Sequence, residues 1–163
     1  MEAPLLTPKC TLLPSKFFDP ASARDTLGEV VELSDSDEIK YVEVPQYDAV
    51  LIYSDYDKVS GGHVNALPEL FYVLQALPQC QEYNKIVATW SEGFLYLSIA
   101  QGDDLLLANV YKAQNFATAQ YFIFLAVKSL QLNPEVSTIC WRSELGPEDK
   151  MSLYRYFKAV EQI

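Results

Sequence analysis

The run FATAQYFIFLAVKSLQL, residues 116–132, is the most apolar helix-like stretch of the chain. Phe116, Ala119, Ile123, Ala126, Val127 and Leu130 recur at intervals of three and four, the period of one helical stripe. Tyr121, Phe122, Leu125 and Leu132 widen that stripe. The spacing therefore predicts a central helix, packed on a sheet and covered on most sides. A bilayer span needs about 20 apolar residues. This run offers at most 17, and Gln120, Lys128, Ser129 and Gln131 lie within it. A lysine near the centre of a span costs about 2.5–3.5 kcal/mol, so a membrane span is not expected. Asn133-Pro134 should stop the helix, because proline disfavours helical backbone at the residue before it.

Strand-like runs surround this helix. KIVATWS (85–91), FLYLSIAQ (94–101) and DLLLANVYK (104–112) are separated by Glu92-Gly93 and Gly102-Asp103, both turn signals. VSTICWR (136–142) is apolar and β-branched. GPEDKMSLYRYFKAVEQ (146–162) reads as a final helix, with Pro147, Glu148 and Asp149 suited to its first turn. Leu153, Tyr156, Phe157 and Val160 make one face of it. Upstream, residues 9–14 and 48–54 read as strands, and 19–29 and 65–77 as helices. Residues 30–46 read as an acidic, mobile stretch with strand-like ends, and 55–63 as a loop or a frayed helix start.

The order of the second half, β-β-β-α-β-α, is specific. A three-strand antiparallel meander that crosses by a helix to a parallel strand opens each half of a ribonuclease H-like or actin-like fold. Such a unit closes with one more strand, which the reading to residue 162 as helix does not supply. The first half, β-α-β-α, looks like the back end of a sister unit without its meander. The expected fold is α/β: the meander, then α-β-α, in a mixed sheet flanked by helices. Residues 1–82 are expected to form a partial first lobe and 83–163 a second lobe, as an internal piece of a longer two-lobed protein.

TPKCTLLPSKFFD (7–19) and DLLLANVYKAQNFATAQYFIFLAVKSLQLNPE (104–135) carry a further likeness. They resemble segments of an uncharacterised bacterial family, a domain of unknown function with an actin-like ATPase (ribonuclease H-like) fold. The match is one of pattern over most of 7–162 and rests on no catalytic motif. It implies the fold and little about activity. Proteins of that fold grip phosphates with acidic, glycine-rich hairpins and adenosine with a Gly-Gly turn. The positions here that correspond are Ser91, Glu92 and Gly93 in the hairpin and Gly146 after the later strand. Each place has a single glycine, and close backbone approach to phosphate usually calls for more. ATP binding is thus the alternative, and no cofactor is the expectation.

Half of the residues are apolar and 13% aromatic, enough for a packed core. The net charge is −10 and the isoelectric point about 4.4. With 12 scattered Lys and Arg, such a surface repels phosphate backbones, so no nucleic-acid partner is expected. The N-terminal MEAPLLTPK is short and broken by Pro4 and Pro8, unlike a secretory signal, which points to a cytoplasmic protein. Cys10, Cys80 and Cys140 are too far apart in sequence for a chelating pair, and they are expected as buried free thiols.

Catalytic chemistry finds no foothold. A two-metal nuclease needs carboxylates on strand 85–91, which has none. Asp55 with Asp57, and Asp103 with Asp104, read as solvated turns rather than metal ligands. His63, the single histidine, reads as a loop residue beside Gly61-Gly62. VVELSDSDE (30–38) resembles a SUMO-interacting motif, which adds a strand to a partner's sheet. An acidic solvated loop is the favoured reading there. An adaptor using 30–44 as an added strand is the weaker one. The reading that results is a non-catalytic binding or assembly module with room for a protein partner. Tyr53, Tyr56, Tyr154 and Tyr156 are the candidate contact face.

Overall fold

A computed structural model describes residues 4–57, 62–63 and 66–163. The chain divides into two compact units, Met1–Tyr72 and Val73–Ile163.

In the first unit, β1 (Cys10–Pro14), β2 (Ile39–Val44) and β3 (Ala49–Ser54) form an antiparallel sheet in the order β1-β3-β2. The central strand AVLIYS is buried along its whole length. Asp19 accepts from the Ala21 N–H at 3.1 Å and starts a 3-10 turn that leads into α1 (Ala23–Gly28). Ala23 and Leu27 of α1 pack on Ile52, with Leu13, Phe18, Val31, Leu33 and Ile39 around them. The segment expected as a loop or frayed helix instead pairs Tyr56–Asp57 (β4) with Gly62–His63 (β5). His63 therefore lies in a two-residue strand, while 58–61 fall outside the described residues. Helix α2 runs from Glu69 to Ala76.

The second unit holds a mixed five-stranded sheet in the order β10-β9-β6-β7-β8. β6 (Asn84–Ser91), β7 (Phe94–Gln101) and β8 (Asp104–Lys112) are the expected antiparallel meander. β9 (Thr138–Trp141) lies parallel to β6. Strand alternation sorts the side chains by face. Ile86, Ala88, Leu95, Leu97, Ile99, Ile139 and Trp141 meet Ala119, Ile123, Ala126 and Val127 of α3 (Phe116–Ser129). On the opposite face, the Ser98 hydroxyl donates to the Val73 carbonyl at 3.1 Å. α3 is covered on most sides, because Phe116, Phe122, Phe124 and Leu130 also pack against this core, and one stripe with Tyr121 and Leu125 stays exposed.

The end of α3 differs from expectation. The helix stops at Ser129, before Asn133-Pro134 can act. Gln131 takes φ +60°, its N–H donates to the Lys128 carbonyl at 3.0 Å, and the Leu132 N–H donates to Val127 at 3.0 Å. These two bonds are the Schellman closure, and Leu132 packs back into the core. A side chain in left-handed backbone costs about 1 kcal/mol. Gln131→Gly is accordingly expected to raise the unfolding free energy by up to about 1 kcal/mol in urea titration. A loss of stability would contradict the Schellman assignment.

The final helix is also shorter than its apolar spacing suggests. α4 covers Pro147–Tyr154, and Ala159–Gln162 forms β10, parallel to β9. The Lys158 N–H donates to the carbonyls of Ser137 (3.0 Å) and Pro134 (3.2 Å), which turns the chain out of the helix and alongside β9. Leu153, Phe157 and Val160 are buried either way, so periodicity could not separate the two outcomes. The closing strand that seemed to be missing is present, and the second unit is a complete β-β-β-α-β-α-β.

Candidate functional site

Parallel pairing of β6 with β9 brings Ala88 level with Trp141. The carboxyl ends of both strands therefore lie at one end of the sheet. Ser91 ends β6 there, Glu92 and Gly93 follow it, and Gly146 follows β9. Ser91 pairs with Phe94 to close a two-residue turn in which Glu92 (φ 50°) and Gly93 (φ 82°) both adopt positive φ. That is the twist-matched hairpin turn, and the glycine serves it. The Gly93 carbonyl accepts from the Ala113 N–H at 2.8 Å. Gly146 is the N-cap of α4 with ordinary extended backbone (φ −65°, ψ 156°), and a Cβ there would meet open space.

Sequence reasoning passed over the residues that tie down the ends of these two strands. The Ser143 hydroxyl accepts from the Trp141 indole N–H at 2.7 Å and from the Trp90 N–H at 3.3 Å. The Gln162 side-chain amide donates to the carbonyls of Trp141 (2.8 Å) and Ser143 (2.7 Å). Trp90 donates its indole N–H to the Ala113 carbonyl at 2.8 Å. Phe116 lies between the two tryptophans, with ring centroids 5.9 Å from Trp90 and 5.8 Å from Trp141. A lone serine after a strand carries no sequence signal. The two tryptophans were legible only as apolar positions.

The charge at this end is acidic. Glu92, Glu144 and Glu148 are exposed. The Asp149 carboxyl is pushed above its usual range by partial burial and then by Glu148.

A second feature lies along α3 and α4. Phe116, Gln120, Tyr121, Phe124, Ser152 and Tyr156 are among the residues lining a groove of about 500 Å³. Phe124 meets Tyr156 edge-on at 4.6 Å, and the Ser152 hydroxyl donates to the Gln120 side-chain carbonyl at 2.9 Å. Of its lining, Tyr121 and Tyr156 are exposed, and Leu125 of α3 and Tyr154 of α4 are exposed as well. Of the tyrosines expected as a contact face, Tyr56, Tyr154 and Tyr156 are exposed, whereas Tyr53 is 5% exposed on the central strand β3.

The acidic stretch 30–38 is the exposed loop expected of it at Val30, Glu32, Asp35 and Glu38, and Asp37 is the exception. Asp37 is 5% exposed. Its carboxylate accepts from Lys9 Nζ (2.8 Å), the Ser34 N–H (2.8 Å) and the Ser54 hydroxyl (2.7 Å). Arg24 donates to the carbonyls of Asp37 (2.8 Å) and Ser34 (2.6 Å). These bonds fold 34–37 down onto the first sheet. Asp55, read as part of a solvated turn, is also buried and pairs with Lys40 at 3.2 Å.

Residues 5–160 match the family described as "Protein of unknown function (DUF3822)". The chain belongs to this family. A domain family of unknown function is what the resemblance of segments 7–19 and 104–135 had implied. Among solved structures, it is similar to a Bacteroides thetaiotaomicron protein with an actin-like ATPase fold and unknown function. The TM-score is 0.78 at 14% identity, over 97% of this chain and 66% of that one. The chain thus has an actin-like ATPase fold and spans just under two thirds of that neighbour. A chain of the PilM–PilN type IV pilus biogenesis complex matches at TM-score 0.48 and 12% identity, over 94% of this chain and 65% of that one. No curated protein matches the chain. Among the described residues, no helix is long and apolar enough to cross a membrane.

Proposed function

We propose that this DUF3822 chain is a non-catalytic binding or assembly module, working in the cytoplasm on a degenerate actin-like fold and engaging a protein partner. The observation that carries this reading is the aromatic groove between α3 and α4. Tyr121 and Tyr156, left open to solvent in a concave surface, are the kind of residue that protein contact sites use, where large rigid side chains bury area at low entropic cost. The acidic surface supports it, because it disfavours nucleic acid and other polyanions. We further propose residues 1–82 as a partial first lobe and 83–163 as the second lobe.

A second reading is favoured by one observation: Ser91, Glu92, Gly93 and Gly146 share one end of the sheet. An ATP-binding or ATP-hydrolysing protein would place its phosphates there. Against it stand the exposed Glu92 at the hairpin tip and the Ser143 hydroxyl, which is already held by Trp141 and Trp90. Titration calorimetry with Mg-ATP separates the two readings, combined with a photo-activatable side chain at position 121 in the producing cell. The expected result is no heat of binding and a discrete protein adduct at 121. Micromolar ATP binding that is lost in Glu92→Lys/Gly93→Val, or the lack of any adduct, would overturn the proposal.

A further inference from the structure

Cys80 and Cys140 are 60 residues apart in sequence, yet their sulfurs lie 3.3 Å from one another. Spacing alone had set them aside as unrelated thiols. Cys140 sits on β9, on the face opposite Ile139 and Trp141, and β9 runs between β6 and β10. Cys80 follows the 3-10 turn Leu77–Gln79, which packs over that face, and its thiol points back to the Ala76 carbonyl at 3.8 Å. The Lys85 ammonium donates to the carbonyls of Cys80 and Glu82, which fastens the 80–82 loop in place. Both sulfurs are thus held by separate, well-anchored backbones.

A disulfide needs its sulfurs about 2.05 Å apart. Closing from contact distance takes a movement of about 1 Å, within reach of small side-chain rotations. The two thiols are not equivalent. Cys80 is the more accessible, at 8% exposure against 3% for Cys140. The hydrogen bond with Cys140 lowers the Cys80 thiol against the effect of burial, and Lys85 lowers it further. The same bond, together with burial, raises Cys140. Cys10 is pushed up to about 12 by burial.

We infer that Cys80 and Cys140 are a reversible dithiol site, oxidised by a peroxide to a disulfide that staples the 77–83 segment to the central sheet. The Cys80 thiolate attacks one peroxide oxygen, the O–O bond breaks, and hydroxide leaves. That hydroxide takes up the proton Cys80 had lost and becomes water. The Cys140 sulfur then attacks the Cys80 sulfenic acid, the S–S bond forms, and the sulfenic oxygen leaves as a second water with the Cys140 proton. Two thiols are oxidised by two electrons, and one peroxide is reduced to two waters. A dithiol reductant reverses the process.

The test uses the intact chain, exposed to a small molar excess of hydrogen peroxide, then alkylated and digested without reductant. The expected product is a peptide pair joining Cys80 to Cys140, lighter than the separate peptides by two hydrogens and released by dithiothreitol. Cys10 should be recovered as an alkylated free thiol. Thermal melting of the oxidised chain should lie above that of the reduced chain, with the shift lost in Cys80→Ser and Cys140→Ser alike. Recovery of Cys80 and Cys140 as separately alkylated thiols overturns the inference, as does Cys80 sulfinic acid without a linked peptide. The linkage is read on the wild-type chain, so a poorly folded variant does not blunt the result.

Discussion

Trp141→Ala is expected to lower the unfolding free energy of the second unit by about 3–5 kcal/mol, the range for removing a fully packed large aromatic. Trp141 is 1% exposed and lies on β9, flanked by both of its parallel neighbours. Its ring meets Phe116 at the start of α3, and its indole N–H donates to Ser143 in the loop ahead of α4. Truncation therefore opens a cavity where helix, sheet and loop converge, and it strips the Ser143 hydroxyl of its closest donor. Trp141→Phe keeps most of the volume and loses the hydrogen bond, so its cost should fall to about 1–2 kcal/mol. Urea unfolding followed by far-ultraviolet circular dichroism measures both. A loss below about 1 kcal/mol for Trp141→Ala would show that the core closes without this ring.

Asp37→Ala is expected to destabilise the first unit by about 2–4 kcal/mol at neutral pH. The substitution leaves Lys9, the Ser34 N–H and the Ser54 hydroxyl without their shared acceptor. Burial alone would raise the Asp37 carboxyl. The Lys9 ammonium and the bonds from Ser34 and Ser54 outweigh it and hold the carboxyl far below its ordinary value of 3.8. The sign of the pH dependence follows. Below pH 3.8 the unfolded chain takes up a proton that the folded chain resists, so this contribution is present above that pH and fades as the pH falls. The gap in stability between wild type and Asp37→Ala should therefore narrow steadily from pH 5 towards pH 2. A gap that stays constant across that range would assign the effect to packing rather than charge.

Much of the architecture was legible because it is local. β6, β7 and β8 were readable from apolar runs bounded by Glu92-Gly93 and Gly102-Asp103. Positive φ at Glu92, Gly93 and Gly102 is what those turn residues supply. The α3 stripe was readable as well, and it is Ala119, Ile123, Ala126 and Val127 that it buries. The candidate site was half legible. The hairpin and Gly146 could be named, but nothing in the residue pattern tied Ser143 to Trp90 or Gln162 to Trp141 and Ser143, because those bonds join positions brought together only by the sheet.

The sequence by itself determined the meander and the crossing helix, since apolar runs, turn residues and a helical stripe are carried by each segment alone, and their order matches that of an actin-like fold. Tertiary structure alone decided the fate of residues 155–162. There the apolar spacing suits a helix and a strand equally, and the free edge of β9 selected the strand by pairing its backbone groups. It also decided that Asp37 is a buried acceptor rather than a solvated acid, because Lys9, Ser34 and Ser54 converge on it from separate elements. The contact between Cys80 and Cys140 has the same origin. A long loop must close before two distant sulfurs can meet, and no spacing along the chain reports that closure.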